Sequence, residues 1–168
     1  MARSSTINRD WIAAEFAKSI VIERTLAANA KSRAESPPEP ALGVLYSEIA
    51  AADERHVAIV EKIATRYGHI PSRAVSGGVT ETLGRLRDKV AEMGLTALDC
   101  LSHDMSAKAE AIHWHTAWVR TFQVIGDSES KRDLAIVLNE ERTHHRALQQ
   151  GFNRQIEQHA CGNKPMQK

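Results

Sequence analysis

Hydrophobic residues recur every three or four positions along most of the chain, and proline or glycine interrupts this pattern at intervals. The spacing predicts α-helices, because residues three and four apart share one face of a helix. The sequence has no β-branched run with alternating polarity, the pattern that would indicate a strand. We therefore predict an all-α protein.

The breaks in the pattern divide the chain into four long helices and one short helix. Three prolines in the segment ESPPEP end the first helix, and glycines end the next three helices, the short one included. This order predicts a four-helix bundle whose long crossover carries the short helix, with residues 1–160 as a single domain and 161–168 as a flexible tail. The predicted long helices cover about residues 8–32, 41–67, 96–125 and 129–159, and the short helix covers about residues 80–93.

Composition narrows the possible partners. The chain of 168 residues is 42% hydrophobic, enough for one globular core, and its net charge of +1 gives no field that favours nucleic acid or an anionic membrane. No apolar run approaches the roughly 20 residues of a membrane helix, and the N-terminal stretch lacks the apolar core of a secretory signal. We expect a cytoplasmic protein.

Cys100 and Cys161 stand far apart without CxxC spacing, so we predict neither a zinc knuckle nor a disulfide.

Ionisable residues interrupt the apolar stripes of three long helices. Glu23 takes the place of an apolar residue on the first helix, and His56 does so on the second, with Asp53 beside it. Glu141 lies on the stripe of the last helix. Burying a carboxylate without a partner costs several kcal/mol, so such a group is normally paired or metal-bound. Each one alone is more simply a hydrogen-bonded core residue, but their coincidence on three helices predicts one shared site.

Two neighbouring histidines compete for the inward position on the last helix. His145 lies on the apolar stripe and His144 lies at its edge, and the sequence leaves open which of them points inward. Glu140 is about 100° round the helix from Glu141. We therefore expect Glu140 to face outward, or to support a ligand from outside the site.

The third long helix has two candidate inward faces. Glu110 lies at about the height of Glu141 on the antiparallel last helix, which favours it as a site residue. The apolar face of the third helix lies roughly opposite Glu110, and Asp104, Lys108 and His115 are nearer to that face. We predict that this helix buries both faces, with Glu110 toward the bundle; the alternative is a solvated Glu110. The other face would then join a dimer or larger homo-oligomer through Met105, Ile112, Val119 and Phe122.

The order of these residues resembles the ferritin-like superfamily, in particular its rubrerythrin and bacterioferritin branch. The pattern of that family is Glu, ExxH, Glu and ExxH on four successive long helices. Residues 53–56 (DERH) stand where the first ExxH belongs, with Asp in place of Glu, and residues 141–144 (ERTH) are a complete ExxH. His113, one turn after Glu110, adds a nitrogen ligand. The resemblance implies these metal ligands: Glu23, Asp53, His56, Glu110, His113, Glu141 and His144.

The resemblance also implies a function. Two iron ions, or manganese or zinc, would lie between the helices and support iron oxidation and handling, or redox chemistry with O2 or peroxide, as in a ferroxidase or a peroxidase-like enzyme. No haem is expected, because no inward Met suggests a haem ligand. The main alternative is a metal-free bundle that acts as an oligomeric structural or partner-binding protein. A weaker alternative is a mononuclear zinc or nickel site built from histidines alone.

Overall fold

The structure, a computed structural model, describes residues 7–69 and 96–161. Within these ranges it contains four long α-helices, one 3-10 turn and no strand, so the all-α prediction is confirmed. The predicted short helix over residues 80–93, and residues 162–168 of the predicted tail, lie outside the described residues. The long helices are α1 (Arg9–Glu35), α2 (Gly43–Arg66), α3 (Ala97–Ile125) and α4 (Ser128–Ala160), and the 3-10 turn (Pro40–Leu42) leads into α2.

Local capping residues set the N-terminal ends of three helices. The side chain of Asn8 accepts a hydrogen bond from the backbone N–H of Trp11 at the start of α1. Thr96 and Asp99 form a capping box at the start of α3. Asp127 caps α4 directly after Gly126, whose positive φ of 80° ends α3 in the left-handed conformation that suits glycine.

Two helix boundaries differ from the prediction. α1 continues to Glu35 rather than to residue 32, because a proline disfavours helical geometry at the residue before it, which here is Ser36. α2 begins at Gly43 rather than at residue 41, because Pro40 starts a 3-10 turn instead of a regular helix. Neither difference moves a candidate site residue out of its helix.

The helices pack as two pairs, α1 with α2 and α3 with α4. Contacts between α2 and α3 advance in the same direction along both helices, since Tyr46 contacts Asp104 and Asp53 contacts Lys108. α2 and α3 are therefore parallel. This arrangement is compatible with a helical bundle that has one long crossover.

Two apolar layers fill the bundle, one on each side of a polar layer. In each helix that contributes to both layers, the buried ionisable residues lie between the residues of one layer and those of the other. On α1, for example, Glu23 lies between Ile20 of the first layer and Ala30 of the second. The candidate site is therefore enclosed along the bundle axis as well as around it. The first layer includes Phe16, Val60, Trp118, Phe122 and Leu134, and the second includes Leu42, Tyr46, Ile49, Leu101 and Leu148.

The face that was predicted to join a second subunit is turned into the bundle. Phe122 is completely buried, and the partly buried Val119 and Met105 pack against the two apolar layers. The prediction of this surface as an interface was wrong, because α3 buries the face that carries Phe122 against its own neighbours. Whether the chain forms a dimer stays a prediction. Across residues 7–69 and 96–161, no helix combines the length and apolarity that a bilayer span requires.

Candidate metal centre

Four ionisable side chains from three helices meet in the polar layer. They are Glu23 of α1, Asp53 and His56 of α2, and Glu141 of α4, and all four are 0% exposed. One potential ligand atom from each side chain lies within 4.8 Å of the others. This buried cluster, which we call the carboxylate cluster, can hold a metal ion. The structure thus brings together four of the seven residues that the sequence suggested.

The third long helix contributes different residues from those predicted. Glu110 and His113 are exposed on α3 and do not reach the carboxylate cluster. Lys108 and His115 point inward instead, with 2% and 1% exposure. The buried stripe of α3 passes through Ala111, which places Glu110 about 100° away from it. Glu110 has the height of the site but the wrong direction, whereas Lys108 and His115 lie nearer to the apolar face of α3.

Lys108 places a positive charge inside the carboxylate cluster. Its Nζ donates to Asp53 Oδ1 over 2.6 Å and to Glu141 Oε1 over 2.8 Å. Burial disfavours the charged form of Lys108, but the two carboxylates outweigh this effect and raise its pKa above the ordinary value. A protonated lysine thus links α3 to both α2 and α4 at the centre of the bundle.

His56 contacts carboxylates through both ring nitrogens. Nδ1 lies 3.0 Å from Glu141 Oε1, and Nε2 lies 2.8 Å from Glu140 Oε2. Burial lowers the pKa of His56, but its hydrogen bond to Glu141 and the negative charges of Glu23 and Glu141 raise it to about 10. In the metal-free cluster His56 is therefore an imidazolium. Glu140 is half-buried and also pairs with Arg55, 3.3 Å away.

The carboxyl groups of the cluster differ in acidity. Burial raises the pKa of Glu23, but the hydrogen bond from His115 and the nearby ring of His56 outweigh this effect and bring the value to about 2. Burial raises the pKa of Asp53 to about 7, against the lowering effect of Lys108, and the negative charges of Glu141 and Glu23 add to the rise. Asp53 is therefore the carboxyl group that takes up a proton most readily.

Three buried carboxylate oxygens of the described residues have no hydrogen-bond partner: Glu23 Oε2, Asp53 Oδ2 and Glu141 Oε2. Buried polar atoms are normally satisfied, and carboxylate oxygens accept either donors or cations. One acceptor oxygen thus remains on each of three helices that already meet. Oxygen and imidazole donors of this kind suit iron, manganese or zinc and give no preference for copper.

The two histidines after Glu141 are both half-buried. Nδ1 of His144 is a buried atom without a hydrogen-bond partner. Burial and the nearby charge of Lys108 lower the pKa of His144, which keeps the ring neutral and able to donate a lone pair. His144 thus stands beside the carboxylate cluster without belonging to its four converging residues, and the choice between His144 and His145 stays open.

The chemistry available to the cluster is that of an enclosed, negatively charged pocket. Three carboxylates meet two buried cations, Lys108 and the imidazolium of His56, and the two apolar layers exclude bulk water from both ends. Such a site can bind a cation in exchange for a proton on His56.

A comparison with protein-family models, curated proteins and solved structures finds no match for the chain.

Proposed function

We propose that this protein is a metal-binding helical bundle and that Glu23, Asp53, His56 and Glu141 hold one divalent cation. The convergence of four buried ligand atoms within 4.8 Å of one another carries this proposal. Each of the three carboxylates also keeps one buried oxygen without a hydrogen-bond partner, which leaves the cluster with acceptor capacity that a cation could use. Nδ1 of His56 would complete the set, with its proton released and Nε2–H donating to Glu140.

We propose iron or manganese as the metal, with zinc as a further possibility, because the donors are oxygens and an imidazole. A bound iron would supply one-electron chemistry with O2 or peroxide. The chain itself would position the ligands and keep water away. We propose one ion rather than two, because the second ion of a dinuclear centre needs a carboxylate from α3, where Lys108 lies instead.

We also propose that the bundle is ferritin-like. Two observations support this proposal: the parallel second and third long helices, and the shared height of Glu23, His56 and Glu141. The exposed Glu110 departs from the family pattern.

A second candidate is a bundle that works without a metal, as an oligomeric or partner-binding protein. The observation that favours it is the contact of Lys108 Nζ with both Asp53 and Glu141. An internal ammonium can neutralise part of the cluster permanently. Breaking such a buried pair is strongly destabilising, which would keep the arrangement in place.

Metal analysis of the purified protein separates the two candidates. The wild type would be treated with chelator, reloaded anaerobically with Fe(II) or Mn(II), and analysed beside Glu141→Ala and Glu110→Ala. We expect one ion per chain in the wild type and in Glu110→Ala, and none in Glu141→Ala. Two ions per chain that depend on Glu110 would restore the dinuclear interpretation. No retained metal in the wild type would favour the metal-free bundle.

A further inference from the structure

Lys108 occupies the part of the carboxylate cluster where a metal ion would have to bind. Its ammonium already contacts Asp53 Oδ1 and Glu141 Oε1, two of the carboxyl groups that we propose as ligands. A divalent cation and an ammonium that share these oxygens would repel each other strongly in a buried site. One of the two has to leave before the other can be held.

A small, partly open pocket lies beside Lys108 and has room into which its side chain could move. The cavity has a volume of about 20 Å³, enough for one water-sized group. Its wall combines apolar side chains with the polar groups of Asn29, Tyr46, Asp53, Asp104 and Lys108. The ammonium thus faces the cluster on one side and a partly empty space on the other.

Asp104 lines the same pocket and carries a carboxylate that could accept Lys108 if its side chain moved. It lies four residues earlier on α3, and lysine side chains on a helix lean toward the N-terminus, where an acidic residue at i−4 is a favourable partner. The carboxylate of Asp104 is nearly buried and receives Tyr46 Oη over 2.7 Å and Arg33 Nε over 3.3 Å, both at Oδ2. Its Oδ1 lies 3.6 Å from His103 Nδ1, beyond hydrogen-bond distance, and can accept a further donor.

We infer that Lys108 is a displaceable internal cation, which occupies the cluster in the metal-free protein and moves to Asp104 when a metal ion binds. This inference rests on the proposed metal centre. Lys108 would stabilise the empty cluster by neutralising Asp53 and Glu141, and would lower metal affinity by the same contacts. Asp104 would then favour metal binding without touching the metal, because it receives the displaced ammonium.

A double-mutant cycle on Lys108 and Asp104 tests this inference, with Mn(II) as the probe and free Mn(II) followed by its electron paramagnetic resonance signal. We expect Lys108→Met to bind Mn(II) more tightly than the wild type by a factor of about ten or more, because the competing charge is gone. Asp104→Asn should weaken binding about fivefold when Lys108 is present, and should have no effect in the Lys108→Met background. Tyr46→Phe, which removes a contact of Asp104 but keeps its charge, serves as the matched control and should leave the affinity close to that of the wild type.

Each other outcome has a definite meaning. An unchanged or lower affinity in Lys108→Met would overturn the inference, and the lower affinity would indicate lysine as a ligand. An equal effect of Asp104→Asn in both backgrounds would also overturn it, because Asp104 would then act only on local packing. If Lys108→Met does not fold without metal, Lys108→Gln, which can still donate to one carboxylate, replaces it in the cycle. If neither the wild type nor any variant binds Mn(II), the proposed metal centre is wrong. If the wild type binds Mn(II) and the Lys108 substitutions do not change its affinity, only the displacement of Lys108 is wrong.

Discussion

His115 of α3 and Glu23 of α1 are held together in the interior of the bundle, with 2.5 Å between Nε2 and Oε1. Both side chains are almost completely buried. The contact occupies one oxygen of Glu23 and leaves the other, Oε2, on the side of His56, 3.6 Å from its Nδ1. His115 therefore acts as a positioning residue, which fixes the direction in which Glu23 presents its free oxygen.

Replacing His115 by Phe should weaken both folding and metal binding. The free energy of unfolding should fall by about 1–3 kcal/mol, because a buried carboxylate loses its donor. Mn(II) affinity should fall by about 10- to 100-fold, as is typical when a partner of a metal ligand is lost. Urea denaturation and Mn(II) titration measure the two effects.

The matched control is His113→Phe, two residues away on the exposed side of the same helix. We expect it to change neither the stability nor the affinity measurably. His115→Gln, which retains an N–H donor, should recover part of the affinity. If the two Phe variants behave alike, His115 does not position Glu23.

Sequence reasoning identified the cluster residues on α1, α2 and α4 because each of them interrupts an apolar stripe. Glu23, His56 and Glu141 stand where the stripe spacing demands an apolar residue, and desolvation makes such a position costly unless the group finds a partner. Their common height follows from helix length and antiparallel packing. The helix ends were also predictable, since caps such as Thr96 act within one turn.

The sequence does not predict in the same way which face of α3 turns toward the interior of the bundle. Height favoured Glu110, whereas direction favoured Lys108, and the spacing of residues does not say which criterion decides. The outcome depends on a long-range pairing: the ammonium of Lys108 is buried because Asp53 meets it from α2 and Glu141 meets it from α4. A lysine near an apolar stripe is normally expected to extend to solvent, so its role appears only when the carboxylates are in place.

Glu140 should affect metal binding less than Glu141 but more than the sequence alone suggested. Its contact with His56 Nε2 orients the ring so that Nδ1 faces the cluster. We expect Glu140→Ala to lower Mn(II) affinity by about tenfold, where Glu141→Ala abolishes binding. Glu54→Ala removes an exposed carboxylate that also neighbours Arg55 in sequence, and it should leave the affinity unchanged. Equal affinities for Glu140→Ala and the wild type would show that the orientation of His56 does not depend on Glu140.

The metal-free protein should lose stability as the pH rises from about 6.5 to 10. The pKa of His56 in the folded state is raised to about 10, above its ordinary value of 6.5, so its contribution is complete below 6.5 and is lost as the pH rises through 10. The slope for one proton cannot exceed about 1.4 kcal/mol per pH unit. Urea denaturation in chelator between pH 6 and 10 measures it, and His56→Gln should remove most of the slope.

At lower pH, Asp53 and Glu23 change the stability of the metal-free protein in opposite directions. The pKa of Asp53 is raised to about 7, so the folded state binds the extra proton and stability falls as the pH rises from about 4 to 7. The pKa of Glu23 is lowered to about 2, so its contribution is complete above 4.5 and is lost as the pH falls toward 2. The contribution of the cluster should therefore be greatest near pH 4 to 5. A maximum above pH 8 in metal-free protein would contradict these assignments.

Phe122 should behave as a core residue and not as part of a subunit interface. It is 0% exposed, and its ring centroid lies 5.6 Å from that of Phe16 and 5.8 Å from that of Trp118. Phe122→Ala should therefore lower the free energy of unfolding by about 3–5 kcal/mol, through lost burial and the cavity that remains. Val124→Ala, at a position that is 78% exposed on the same helix, should change it by less than about 0.5 kcal/mol. Sedimentation of folded Phe122→Ala should show the same assembly state as the wild type, because Phe122 is buried within its own chain. A Phe122→Ala protein that dissociates without losing stability would restore this face as a subunit contact.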